Sequence, residues 1–127
     1  MGFWQTLFGS KPKRPVIDWL EIESRMRQID ALAAQNNQLA FKQAIIDYDK
    51  LIDSLMREFV KADTFADRLK ALRNRFPKQL YSQLWKAHLK RNELVHESGS
   101  FVAEWEKSTF LRTYSESVSF LRGESAR

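Results

Sequence analysis

Phe41, Ile45, Tyr48, Ile52, Leu55 and Phe59 recur at alternating steps of four and three residues. That spacing holds six large apolar side chains on one face of a helix for about five turns, whereas a half-buried strand would alternate every second residue. The same period returns on both sides of this stretch. Ile22, Met26, Ile29 and Ala33 form one stripe, Phe65, Leu69 and Leu72 a shorter one, and Phe101, Trp105, Leu111, Tyr114, Val118 and Leu121 a last one. With only four glycines and three prolines in 127 residues, few turns are signalled, and long helices are expected.

Start and stop signals divide the chain into five helices. Asp18 with Glu21 resembles a capping box, and Asn36-Asn37 marks a break before the second helix. Thr64 with Asp67 opens a third helix that stops near Pro77. A fourth should run from about Gln79 to Glu97, ending at Ser98-Gly99-Ser100, and a fifth from Phe101 to about Leu121. The fold class is all-α, an antiparallel bundle of four to five helices with short connections. Hydrophobic residues make up 43% of the chain, enough for one modest core in a single domain.

Residues 1–15 read as a separate tail, and 16–127 as the helical domain. Gly9-Ser10-Lys11-Pro12-Lys13-Arg14-Pro15 cannot continue a helix and serves as a linker. Before it, Phe3, Trp4, Leu7 and Phe8 share one side of a short helix next to cations. Such a segment suits a membrane surface or a groove on a partner, or it folds back onto the domain. Gly2 with Thr6 also fits the short N-myristoylation pattern. No apolar run approaches the ~20 residues that span a bilayer. The chain has no cysteine, so disulfides and thiolate metal sites are excluded. A cytoplasmic location is expected, with peripheral membrane attachment through the tail as the variant.

Charge is unevenly distributed. Residues 1–56 carry seven basic and seven acidic side chains, and 93–127 carry four against six. Residues 57–92 carry ten basic against three acidic, so the excess lies in the middle third. It is either a solvated helix face or a field that captures polyanions.

The fourth helix breaks its own pattern. Projected at 100° per residue, Leu80, Leu84, Ala87, Leu94 and Val95 make a core stripe with Arg91 in its middle. A guanidinium there must reach a partner or a wet cleft; Asp49 or Asp53 on the second helix are the candidate partners. The adjacent face reads Tyr81, Trp85, Leu89, Asn92 and His96. His96 can equally serve as a cation near a helix C-terminus. His88 belongs at the edge of the core or at an interface between copies.

Arg91-Asn92-Glu93-Leu94-Val95-His96 resembles the signature of the HEPN family: Arg, then Asn or another polar residue, then His five positions after the Arg. It stands late in the penultimate long helix, before a small-residue turn and one more amphipathic helix. Arg68-Leu69-Lys70-Ala71-Leu72 and Leu84-Trp85-Lys86-Ala87-His88-Leu89-Lys90 are similar to family sequences too, and the likeness spans about Asp18 to Leu121. The resemblance implies a HEPN-like helical bundle, often homodimeric, whose active members are metal-independent ribonucleases of toxin, defence and RNA-processing systems. Carried over, Arg91 and His96 are catalytic and Asn92 supports them; Asp49 and Asp53, the candidate partners of Arg91 on the second helix, would be the supporting carboxylates if Arg91 acts there. Lys90, Lys86, Arg73 and Arg75 are then the RNA-binding cations. No metal or cofactor is implied. An antitoxin or other partner protein is, although Ser98 stands where antitoxin-paired members often carry a tyrosine, so control by modification of that tyrosine is not expected. The family also includes members that bind RNA, nucleotides or proteins without cutting, and that is the alternative.

The chemistry suits these residue types. RNA carries its own nucleophile, the ribose 2′-hydroxyl. A histidine can move protons near neutral pH, and arginine's forked donors match a phosphate whose charge grows in the transition state. One histidine per motif is too few for separate acid and base roles, so two copies facing each other are expected.

Overall fold

The computed structural model describes residues 15–127, and the expectations for the tail before Pro15 lie outside the described residues. Five helices follow in order: α1 (Trp19–Ala33), α2 (Gln38–Met56), α3 (Phe65–Ala71), α4 (Lys78–His96) and α5 (Glu104–Ser125), with no strand among the described residues. The all-α expectation holds, with five helices.

Local chemistry sets the starts. Asp18 Oδ1 accepts from Glu21 N–H at 3.2 Å, Asn37 Oδ1 from Ala40 N–H at 2.8 Å, and Thr64 Oγ1 from Asp67 N–H at 3.0 Å. Each cap satisfies a donor that the first helical turn would leave unpaired. Between α1 and α2, Asn36 turns the chain with φ +57°, the left-handed region that asparagine tolerates better than most residues. Four residues suffice there, so α1 and α2 form an antiparallel hairpin.

α2 is the central element and packs against all four other helices or their side chains. That is why its buried set is wider than one stripe: Ala44, Leu51 and Met56 join Phe41, Ile45, Tyr48, Ile52 and Leu55. The Gln38 side-chain amide exchanges two hydrogen bonds with the backbone of Val102, at 2.7 and 2.8 Å. Further along, the Tyr48 and Tyr114 rings stack at 5.3 Å. These pairs advance together, so α2 and α5 run parallel. α4 runs against α5, because Phe76, just before α4, meets Phe120 late in α5, while Lys90 late in α4 meets Glu106 early in α5.

Several sequence expectations are corrected. α5 begins at Glu104 rather than Phe101; the Ala103 N–H donates to Glu106 Oε1 at 2.9 Å and marks the start. Val102, fully buried, is the anchor of that segment, while Phe101 is 62% and Trp105 68% exposed. Neither points inward. α2 ends at Met56, so Phe59 lies in the following turn, half buried beneath the Arg75 guanidinium. On α4, Leu84 and Ala87 are buried, Leu80 and Leu94 are partly buried, and Val95 is exposed, because the last turn of α4 runs past the core.

Candidate functional site

Arg91, three residues after His88 on α4, looks across at α2, and the two side chains share one helix face. Opposite them stands Asp49, which follows Tyr48 in the most buried stretch of α2 and is itself only 3% exposed. Such a carboxylate must find donors or a cation. It finds three groups from two helices. The Tyr114 hydroxyl donates to Asp49 Oδ2 at 2.9 Å. His88 Nδ1 lies 3.0 Å from Oδ2 and 3.2 Å from Oδ1; facing a carboxylate, this nitrogen carries the proton, which leaves Nε2 as the other ring nitrogen. Arg91 Nε lies 3.8 Å from Oδ1, close enough for charge attraction and too far for a hydrogen bond.

Aromatic packing holds the network still. Phe65 lies flat on the His88 ring at 3.9 Å, and Trp85 meets it edge-on at 6.4 Å. The Tyr48 ring supports Tyr114 from the side of α2. Burial, and then the Asp49 charge, push the Tyr114 hydroxyl well above its ordinary range, so it stays a donor.

Arg91 is only partly enclosed. Its Nε is buried and without a hydrogen-bond partner, its terminal NH1 donates to Asn92 Oδ1 at 3.0 Å, and 31% of the side chain remains exposed. With Asn92 it borders an open cleft of about 580 Å³ that also meets Asp49, Asp53, Lys50 and Arg57. Of the two carboxylates proposed for Arg91, Asp49 is the one beside it. Asp53 instead accepts from Arg68 Nε at 2.8 Å and from Arg57 at 3.3 Å. Arg68 is buried and also donates to the Ala62 carbonyl, so it ties the segment before α3 to α2.

His96 is solvent-exposed in the last turn of α4 and does not border this cleft. One chain therefore sets Arg91 and Asn92 at the cleft, with His96 exposed one turn further along α4 and outside the cleft's lining.

The four cations proposed for RNA have different surroundings. The Lys90 side chain is 11% exposed, and its ammonium lies 3.1 Å from Glu93, 3.3 Å from Glu106 and 2.8 Å from the Phe101 carbonyl. Burial alone would lower its pKa, but the hydrogen bonds to Glu93 and Glu106 outweigh it and hold the charge in place. Arg75 lies on Phe59 and 3.1 Å from Glu124. Lys86 and Arg73 are exposed. Among the described residues, no group of three or more His, Asp or Glu is placed to hold a metal ion.

Sequence reasoning placed His88 at the edge of the core and missed its pairing with Asp49. Two signals pointed to it: Tyr114 carries a hydroxyl into an apolar stripe, and His88 shares a helix face with Arg91. No family model matches this chain, and no curated protein or solved structure matches it either.

Proposed function

We propose that this protein is a metal-independent endoribonuclease of the HEPN type, a toxin or defence effector, that acts as a homodimer through Arg91, Asn92 and His96. The observation that carries the reading is the state of Arg91. A purely structural arginine would be sealed on its carboxylate; this one is near Asp49 without a hydrogen bond to it, keeps 31% of its side chain exposed, and borders an open cleft beside Asn92.

In this reading one His96 removes the proton from a ribose 2′-hydroxyl. The 2′-oxygen bonds to the adjacent phosphorus, and the bond from phosphorus to the 5′-oxygen breaks. His96 of the second copy protonates the departing oxygen, leaving a 2′,3′-cyclic phosphate and a free 5′-hydroxyl. The Arg91 fork stabilises charge on the phosphate oxygens. DNA lacks the 2′-hydroxyl and is bound without being cut. The exposure of His96 fits a site completed by a second copy. So do the exposed apolar side chains Leu89 and Val95 in the last turns of α4, and Phe101 and Trp105 just after it.

The test is incubation of the purified protein with a labelled structured RNA in excess EDTA, beside Arg91→Ala and His96→Ala, with sedimentation to establish the oligomer. Cleavage by the wild type alone, leaving cyclic ends, supports the enzyme. Folded dimers that bind RNA in a salt-sensitive way without cutting it support the second reading, a noncatalytic binding module. That second reading is favoured by the place of His96, exposed and outside the lining of the cleft that Arg91 and Asn92 border.

A further inference from the structure

We propose that Asp49, oriented from behind by Tyr114 and His88, is the positioning residue that aims the Arg91 guanidinium into the cleft between α2 and α4. This role rests on the ribonuclease reading for its effect on catalysis, although the tether itself is a property of the fold.

The geometry assigns each oxygen a task. Oδ2 receives the Tyr114 hydroxyl at 2.9 Å and shares His88 Nδ1 at 3.0 Å. Those donors belong to rings stacked against Tyr48 and Phe65, so they have little freedom to turn. The carboxylate plane is thereby fixed, and Oδ1, also 3.2 Å from His88 Nδ1, faces Arg91 Nε at 3.8 Å. The buried Asp49 charge attracts that guanidinium across 3.8 Å. It does so without consuming the Nε proton in a hydrogen bond.

The attraction acts on Nε, at the inner end of the guanidinium, while the side chain borders the cleft. NH1 is steadied by Asn92 Oδ1. A forked pair of donors held at a known angle suits two phosphate oxygens at once, and prior ordering removes rotamer entropy that binding would otherwise lose. A buried network that merely specified the register of α2, α4 and α5 would need Tyr114, His88 and Asp49. It would not need a partly exposed arginine ending at a cleft.

Asp49→Asn keeps the shape and deletes the charge, and Tyr114→Phe keeps the ring stack and deletes one orienting donor. Each folded variant is to be read in two ways. The first is cleavage of the labelled RNA, with kcat separated from RNA affinity. The expected result is a kcat loss of about tenfold or more in Asp49→Asn and a smaller loss in Tyr114→Phe. Affinity should change little in Asp49→Asn, because losing the prior order of Arg91 weakens binding while losing a negative charge near the phosphates strengthens it. General damage to the fold would weaken both. The second readout is hydrogen exchange at Arg91 Nε by nitrogen-15 NMR, which needs no activity. Exchange there is expected to accelerate in both variants relative to the wild type.

Unchanged Nε exchange in both variants overturns the tether. Accelerated exchange with full kcat overturns its catalytic role. If the wild type cuts no RNA, the ribonuclease reading fails, and the exchange measurement still decides whether Asp49 positions Arg91. Should Asp49→Asn not fold, Tyr114→Phe carries both measurements.

Discussion

Replacing Tyr114 by phenylalanine has two consequences of opposite pH dependence. The phenyl ring can occupy the same place against Tyr48, so the packing is kept and only the hydroxyl is lost. At pH 7 the loss removes one of the hydrogen bonds to a buried carboxylate, leaving His88 as its donor. Hydrogen bonds to charged groups contribute roughly 1.5–3 kcal/mol, so the variant should be less stable by about 2 kcal/mol. In alkali the difference shrinks. The unfolded tyrosine ionises near ~10, while burial and Asp49 hold the folded hydroxyl protonated well above that. A raised pKa on an acid means that the folded state keeps a proton the unfolded state has released. Stability is therefore intact below pH ~10 and falls above it, by about 1.4 kcal/mol per pH unit until the folded group also ionises. The variant lacks this loss. The gap between the two proteins should narrow above pH ~10 as that loss accumulates. Tyr48, which burial pushes up to about 12 against the opposing effect of Ser115, is present in both and cancels. Urea unfolding followed by circular dichroism at pH 7, 9, 10, 11 and 11.5 measures the gap directly. A gap that stays constant across that range would refute a hydroxyl held protonated in the core, and no gap at pH 7 would refute the stabilising bond to Asp49.

Arg68→Met should lower stability by about 2–3 kcal/mol in urea unfolding, below the value for a fully buried pair because Asp53 is 19% exposed and keeps Arg57; a change under ~0.5 kcal/mol would show that the Arg68–Asp53 pair merely replaces solvent. Lys90→Gln should lower stability by about 1–2 kcal/mol and leave the salt dependence of RNA binding unchanged, because its charge is already taken by Glu93 and Glu106. Lys86→Gln should do the reverse, reducing the slope of log affinity against log salt by about one, and titrations at several salt concentrations with both variants separate the two.

The number of helices, their approximate limits and most of the core were legible in the chain, because helical period and capping act over a few residues. Asp18, Asn37 and Thr64 cap where they stand in sequence, whatever packs against the helix later. The apolar face of α2 was legible for the same reason. Its full extent was not: how many sides of a helix are covered depends on how many neighbours it has, and α2 has four.

Residues beyond the reach of period and capping were decided by tertiary structure. Phe101 and Trp105 continue the spacing of α5 but precede or sit at its first turn, where Val102 is buried and they are not. At the site, the sequence marked Arg91 as a charge that needed a partner and offered Asp49 and Asp53 on equal terms. Only the crossing of α2 and α4 separates them, setting Asp49 beside Arg91 while Arg68, fifteen residues along the chain from Asp53, takes the other carboxylate. The Tyr114 hydroxyl, 65 residues from Asp49, could join that network only once α5 was laid alongside α2. Helical period tells a side chain which way to face; what it meets there is fixed by long-range packing.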